Sequence, residues 1–435
     1  NTAVGRSALT ANTTADSNTA VGYLALTANT TGGANVAVGA TALDANTTGF
    51  SQTGVGFGAL GANTTGYDNA AFGVNALAAN ISGLSNTAVG NYSLDANTTA
   101  SNNTAVGYAS LGANTTASQN TAIGYNALTA NTTGAANTAL GFEALDANTT
   151  AANNTGIGWR ALYANTTGTG NSGFGTSALV ANTTADNNTA VGYLALTANT
   201  TGTSNTAVGQ GALDACTTGD VNTAVGAASL GSVTTASNNT AVGQGAGQSI
   251  TTGANNTILG RDAGDAITDG DDNTFIGYLT GTYQNDLTTG HFNTIVGAYS
   301  TTTAVDSDIA AGLGYNLDCA AGYTTLGNGT ADIRAAHGNI TWATVSDERY
   351  KKDIVDSTAG LSFINALKPR TFKYKTLGEF KAAINADSSI KDGFRLWDDR
   401  DDGSQEVAEA ALIPVLTKAV QELSTALDAA LARIA

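Results

Sequence analysis

The sequence predicts a mainly β protein whose first 292 residues form a parallel β-solenoid, or β-roll, built from stacked repeats. A run resembling NTAVG begins at Asn1 and recurs every 17 residues to Asn273, giving seventeen starts, and Asn293 follows after a 20-residue step. A fixed period of this kind indicates a stacked array rather than a globule. The chain therefore divides into a shaft at 1–292, a tip or transition region at 293–345, and a C-terminal domain at 346–435.

The repeat positions predict short strands separated by turns. Position 5 is Gly in all seventeen copies, which indicates a positive φ or the close approach of a neighbouring backbone. Position 4 is always a large apolar residue, and position 9 is Leu in the first fourteen copies and Gly in the last three. Short apolar runs bounded by Gly and Asn favour strand over helix, and the NTTG runs are typical of turns.

Position 12 predicts an internal ladder of amide side chains. It is Asn in twelve copies, from Asn12 to Asn199, and then becomes Cys216, Val233, Ile250 and Ile267, with Gln284 in the last copy. A position that accepts Val and Ile points inward, so we expect each Asn to bond to the coils above and below, and Cys216 to be a small buried thiol. We also expect Val to be tolerated at this position. The alternative is N-glycosylation, because Asn-Thr-Thr is a formal acceptor sequence.

Each repeat supplies only about two large apolar residues in addition to Ala. One such coil cannot offset the entropy of ordering its own backbone, and stacking leaves the core thin. We therefore expect several copies of the chain to associate.

Charge and composition limit the possible partners and cofactors. The chain has 17 Lys or Arg and 34 Asp or Glu residues, a net charge of −17. Residues 346–435 hold 13 of the basic and 15 of the acidic residues. Residues 1–345 therefore hold 4 basic and 19 acidic residues, a balance of −15. Such a surface repels phosphate backbones, so we expect no nucleic-acid partner. Two cysteines and two histidines, far apart, predict neither a disulfide framework nor a metal site, and no cofactor is expected.

The two ends of the chain carry different expectations. The sequence contains no run of 18 apolar residues, so we expect no membrane insertion. No signal peptide is visible. Because residue 1 already lies at the start of a repeat, we expect an N-terminal anchoring segment to be missing. In the transition region, Trp342, Tyr315 and Tyr323 could form a carbohydrate-binding tip, although packing at the end of the shaft is the alternative that we favour.

Residues 404–435 predict a helix with a heptad seam. Apolar residues recur in steps of three and four, at Ile413, Leu416, Val420, Leu423, Leu427, Ala430 and Ile434. Ser404 can cap the helix, and Pro414 marks either a first helical position or a kink. We expect a trimeric coiled coil; a single amphipathic helix packed on its own domain is the alternative.

The run SDERYKKDI at 346–354 marks the junction between the two parts of the chain. Ser346 and Lys351 are a candidate nucleophile and base, as in Ser-Lys variants of serine-protease sites. By itself such a pair is weak evidence, because most Ser and Lys residues at this spacing lie in a solvated turn.

The wider sequence resembles the C-terminal intramolecular chaperone of phage tail spikes and fibres, the endosialidase type. The resemblance covers residues 342–435 and rests on the SDERYKKDI run, Trp342 before it, and the run KPRTFKY at 368–374. It implies self-cleavage between Val345 and Ser346, with Ser346 as nucleophile and Lys351 as base. Asp347 and Arg349 would brace the turn. The shaft pattern is also similar to the heads of trimeric autotransporter adhesins, which are left-handed parallel β-rolls.

Together these features predict a homotrimeric fibre on a phage virion tail that acts as a spacer and in host attachment to a glycan or protein receptor. The C-terminal domain would align three chains and then remove itself in a single turnover, with no external substrate. The alternative is a bacterial cell-surface adhesin or extracellular filament with an uncleaved trimerisation cap.

Overall fold

A computed structural model describes residues 1–282, 287–329, 331–338 and 343–344, and within these ranges the chain forms 24 β-strands and no helix. We number the strands in chain order and refer to each 17-residue repeat as a coil. The strands are β1 Thr2–Val4, β2 Thr19–Val21, β3 Val36–Val38, β4 Thr53–Val55, β5 Ala70–Phe72, β6 Thr87–Val89, β7 Thr104–Val106, β8 Thr121–Ile123, β9 Thr138–Leu140, β10 Thr155–Ile157, β11 Ser172–Phe174, β12 Thr189–Val191, β13 Thr206–Val208, β14 Thr223–Val225, β15 Thr240–Val242, β16 Thr257–Leu259, β17 Thr274–Ile276, β18 Thr294–Val296, β19 Thr301–Thr302, β20 Ala311–Tyr315, β21 Asp318–Cys319, β22 Tyr323–Asn328, β23 Ala331–Ala336 and β24 Ala343–Thr344.

The predicted parallel β-solenoid with a 17-residue period is confirmed. Each coil contributes one three-residue strand at positions 2–4, and each strand pairs in parallel with the strand of the next coil, as where Thr121 aligns with Thr138. Outside the strands the backbone also bonds from coil to coil, for example from Leu128 N to Ala144 O at 2.9 Å and from Thr132 N to Thr149 O at 2.8 Å. Stacking therefore satisfies the polar backbone groups that a single coil would leave unpaired.

Glycine at position 5 is required for both of the reasons that the sequence suggested. Gly124 has a φ of +144°, and a Cβ placed there would collide with the carbonyl oxygen of Gly141 in the next coil. The same conformation recurs at position 5 of every coil. Any L-residue with a side chain would be strained at this position and would also separate two coils.

The backbone conformation at position 9 explains why Gly can replace Leu there. Leu128 has a φ of 56°, and Leu at this position lies in the left-handed region in every coil that carries it, although this conformation is unfavourable for a branched residue. Gly247 and Gly264 have φ values of 59° and 55° at the same position. The exchange therefore preserves the backbone and changes only the side chain that fills the core.

The 20-residue step places Leu287 at the position that the sequence count gave to Gln284. Leu287 is fully buried and directly precedes the Thr-Thr turn, as position 12 does in the other coils. The stack resumes without a break, because Asn293 N bonds to Asn273 Oδ1 at 3.0 Å and Thr274 aligns with Thr294. The insertion thus enters between positions 9 and 12, and Gln284 itself lies outside the described residues.

The parallel stack continues past residue 292 before it ends. Strand β18 pairs with β20 after another 17 residues, and β20 pairs with β22 after 13, with Ala311 aligned to Thr324. Strands β23 and β24 then add in the antiparallel direction, while β19 and β21 form a separate two-stranded sheet. The reversal of direction, rather than the loss of the strict period at 293, marks the end of the stack.

Candidate functional site

The interior of the solenoid carries the amide ladder that position 12 predicted. Asn131 Nδ2 donates to Asn114 Oδ1 in the preceding coil at 3.0 Å and to the carbonyl oxygen of Gly134 in its own coil at 2.9 Å. Asn148 Nδ2 donates in turn to Asn131 Oδ1 at 2.9 Å. From Asn29 to Asn199 this pattern repeats in each coil, and these side chains are fully buried. The ladder joins consecutive coils and satisfies both polar atoms of each amide from Asn29 to Asn182.

A second ladder at position 1 was not predicted. Asn120 Nδ2 bonds to the carbonyl of Gly134 at 2.9 Å, which closes its own coil, and Asn120 Oδ1 accepts the backbone N–H of Asn137 at 2.9 Å. The carbonyl at position 15 therefore receives bonds from two amides. The signal was present in the sequence, because position 1 is Asn in every copy except the one that begins at Gln52.

Burial argues against glycosylation of the position-12 residues. Asn114 and Asn131 expose none of their side chains, and the Nδ2 atom that would carry a glycan donates two hydrogen bonds. An attached sugar would have to displace both the ladder and the neighbouring coils.

The position-12 ladder ends with an unpaired acceptor. Cys216 replaces the next amide donor, and Asn199 Oδ1 is buried with no hydrogen-bond partner in this fully described part of the shaft. Cys216 and Cys319 are both buried free thiols, and burial raises the pKa of Cys216 to about 11 and that of Cys319 to about 12. Such thiols stay protonated at neutral pH, which agrees with the prediction that Cys216 is an unreactive packing residue.

The outer face of the main sheet is unexpectedly apolar. Of the two large apolar residues in each coil, only Leu at position 9 lies inside, packed against Ala at positions 3 and 8. The position-4 residue points outward: Ile123 is 37% exposed, Leu140 42% and Phe72 42%. The core of a single chain is therefore even thinner than the composition suggested.

Exposed aromatic residues at position 6 stack along the shaft. Tyr108, Tyr125 and Phe142 lie with ring centroids 5.4 Å and 5.2 Å apart and nearly parallel planes. Next to them the Arg160 guanidinium lies 3.9 Å from the centre of the Tyr163 ring. Because the ring faces of Tyr108, Tyr125 and Phe142 are covered by one another, these stacked rings brace neighbouring coils, whereas the contact of Arg160 with Tyr163 lies within one coil.

Two of the residues proposed for a carbohydrate-binding tip, Tyr315 and Tyr323, are not brought together. Tyr315 lies beside Asn328 in the pairing of β20 with β22, whereas Tyr323 lies at the opposite end of β22. Five residues of extended strand separate these ends by roughly 17 Å. Tyr315 makes an edge contact with Tyr299 at 5.7 Å, as expected for packing between coils. Trp342 lies outside the described residues.

The predicted processing site also lies outside the described residues. The last described strand, β24, ends at Thr344, directly before Val345 and Ser346. The chain divides into two units, Asn1–Val345 and Ser346–Ala435. Ser346, Lys351, the supporting pair Asp347 and Arg349, and the coiled coil proposed for 404–435 all belong to the part that is not described.

No group of His, Cys, Asp and Glu side chains that could hold a metal ion occurs within the described ranges. A helix long and apolar enough to cross a bilayer is likewise not found in them.

Comparison with known proteins supports the resemblance found at the C-terminus. Residues 346–390 match the family described as chaperone of endosialidase. No curated protein and no solved structure matches the chain. The family match at the C-terminus and the β-solenoid of 17-residue coils together fit a tail-spike-like protein.

Proposed function

We propose that this chain forms a homotrimeric fibre of a phage tail, in which residues 346–435 align three chains, promote folding of the shaft and are then removed by self-cleavage. The shaft would serve as a spacer and carry the fibre to a glycan or protein receptor on the host surface. The observation that carries the proposal is the position of the chaperone match, which begins at residue 346, two residues after the last described strand.

A shaft of this kind has a register problem that an aligning domain would solve. From β1 to β17 each strand pairs with the next at an offset of 17 residues, and successive coils carry nearly the same sequence. A slip by one whole coil keeps the pleat, the Gly column and most ladder contacts, so its energetic cost is small. Three chains joined first at their C-terminal ends would begin to stack from a common starting point.

The proposed cleavage is an acyl transfer within the chain followed by hydrolysis. Ser346 Oγ attacks the Val345 carbonyl carbon and loses its proton to the neutral amine of Lys351. The bond between Val345 C and Ser346 N breaks, and the amine nitrogen of Ser346 takes up the proton. Water then hydrolyses the ester, leaving a carboxylate on Val345 and restoring the Ser346 hydroxyl. Arg349 and Lys352 would favour the neutral form of Lys351 by their positive charge.

Intact mass and solution mass of the purified chain test the two halves of the proposal separately. The wild type is expected to yield a released fragment of residues 346–435 and a trimeric shaft. Ser346→Ala and Lys351→Ala should remain full length and still form trimers, whereas Lys352→Ala, the matched control, should still be cut.

Two other outcomes would overturn parts of this proposal. A folded wild-type protein that stays full length would remove the peptidase role and favour a permanent trimerisation cap, as in a bacterial surface adhesin. A stable folded monomer would overturn the fibre assignment itself.

A further inference from the structure

We infer that the outer face of the main sheet, formed by positions 2 and 4 of each coil, is the surface through which the shafts of three copies of this chain pack together. This face, which we call the 2/4 face, runs from Thr2 and Val4 to Thr294 and Val296. The inference rests on the proposed trimer and assigns a surface to it.

The 2/4 face is apolar in every coil, whereas the other exposed positions are polar in at least some coils. Position 4 carries Val, Ile, Leu or Phe in every coil, although its side chain is exposed or only half-buried, whereas the exposed position 14 is almost always Thr. An all-parallel sheet is normally covered on both faces, and within the described part of the chain only the inner face is covered.

Charge points to further copies of the same chain as the covering. Positions 2 and 4 carry no charged residue in any of the eighteen coils from Thr2 to Val296, although the first 345 residues have a balance of −15. Charged residues lie at other positions, such as Arg160 and Glu143 at position 7 and Asp95 at position 10. The 2/4 face therefore carries no charge that would oppose the approach of an identical acidic chain.

Period and area also fit a second copy. The face offers one apolar residue at each ~4.8 Å step along the stack, and another copy of the same solenoid presents a row with the same spacing. At roughly 60 Å² of apolar surface from each position-4 side chain, eighteen coils supply about 1,000 Å² per chain, above the ~800 Å² per partner of a standard interface.

Compensating residue volumes on the 2/4 face indicate that it is packed against something. Position 4 is Phe only in the coils of Phe72 and Phe174, and among these eighteen coils position 2 is smaller than Thr only in the same two, as Ala70 and Ser172. Residues i and i+2 of a strand share a face, so each extra ring is matched by a lost methyl group or more. In a trimer with its chains in register, the Phe residues of all three chains would lie at the same level along the shaft axis. The two Phe coils would therefore mark the register of the trimer.

Site-specific cross-linking in the full-length chain tests this assignment. Ile123→Cys places a thiol on the 2/4 face, and Thr133→Cys, in the same coil, places one at the exposed position 14. A short bismaleimide should join Ile123→Cys chains to one another and leave Thr133→Cys and wild type unjoined, because Cys216 and Cys319 are buried. Ile123→Lys with Leu140→Lys should lower the melting temperature of the shaft more than Thr133→Lys with Thr150→Lys.

The outcomes separate this inference from the proposed function. A wild-type trimer in which Ile123→Cys and Thr133→Cys cross-link equally, or neither does, overturns the 2/4 face as the interface and leaves the fibre proposal standing. A monomeric wild type overturns both. Selective cross-linking of Ile123→Cys in a trimer supports both.

Discussion

Coils 1–12, whose position 12 is Asn, and coils 15–17, whose position 12 is apolar and whose position 9 is Gly, share one backbone but fill it in two ways. We call them the ladder coils and the apolar coils. In the ladder coils, Leu at position 9 packs beside a hydrogen-bonded amide, as Leu128 does beside Asn131. In the apolar coils, Ile267 takes the amide position and Gly264 takes the Leu position.

The exchange conserves volume. A Cβ on Gly264 would lie 3.0 Å from Ile258 Cδ1, 3.1 Å from Ile267 Cδ1 and 3.3 Å from a ring carbon of Phe275. Around Gly264, the larger residues Ile258, Ile267 and Phe275 at positions 3 and 12 therefore occupy the space that Leu fills elsewhere. The comparison shows that the solenoid requires a filled interior and a left-handed residue at position 9, and that the core can be completed by either amides or alkyl groups.

A charge inserted into the ladder should have the largest effect. Asn131→Lys buries an ammonium group with no anion beside it, and we expect a loss of several kcal/mol per chain. Thr133→Lys, at an exposed position of the same coil, is the control and should melt close to wild type. Thermal unfolding followed by circular dichroism measures the difference. Equal melting temperatures for the two variants would mean that position 12 does not face the interior.

Opposite changes of residue size at position 9 should destabilise the two kinds of core. Leu128→Ala opens a cavity in a ladder coil and should cost about 2–5 kcal/mol per chain. Gly264→Leu overfills an apolar coil and should cost about 1–3 kcal/mol. Denaturant midpoints measure both. Adding Ile258→Ala should restore part of the stability lost by Gly264→Leu and none of that lost by Leu128→Ala; if it restores neither, the volume exchange is not real.

Replacing Asn by Val should lower the stability of the shaft in the middle of the ladder and leave it nearly unchanged at the end of the ladder. Asn131→Val leaves Asn114 Oδ1 without a donor, and we expect a cost of about 1–3 kcal/mol per chain. Asn199→Val only moves the unpaired acceptor from Asn199 to Asn182, because Asn199 Oδ1 already lacks a partner. Denaturant midpoints of the two variants make the comparison. A neutral Asn131→Val would restore the simpler expectation that Val is tolerated throughout position 12.

The smallest effect should come from the partly buried aspartates at position 10 of the ladder coils. Desolvation raises the pKa of Asp95 above the ordinary 3.8, despite hydrogen bonds from the backbone of Asp95 and Ala96 that lower it. The folded state therefore binds its proton more tightly than the unfolded state, so this carboxylate lowers stability at neutral pH. The penalty disappears as pH falls through the raised pKa and below 3.8.

Asp95→Asn should accordingly raise stability at pH 7 by a few tenths of a kcal/mol per chain, and the gain should vanish near pH 3. Asp68→Asn removes the same charge from an exposed turn and controls for the change in net charge. Melting curves from pH 7 to pH 3 provide the test. A gain for Asp95→Asn that is independent of pH would contradict a desolvation effect.

The sequence by itself determined the period, the strand positions, the requirement for Gly at position 5 and the inward direction of position 12. Each of these follows from local chemistry repeated at a constant spacing: a backbone that only Gly adopts, or a position where Asn is exchanged for Val and Ile. The resemblance at the C-terminus was likewise carried by a contiguous run of residues, and the family match at 346–390 supports it.

Only the tertiary structure decided which apolar residues are buried and how the amides pair. Both Val106 and Leu111 read as core residues in the sequence, yet the strand pleat turns position 4 outward and the turn carries position 9 inward. The double use of the position-15 carbonyl depends on closure of a coil, because one of its two donors lies 14 residues away. The place of Leu287 and the unpaired Asn199 acceptor depend on contacts between coils, which join residues 17 or 20 positions apart. No local propensity encodes contacts at these separations, and those between coils exist only after one coil has stacked on the next.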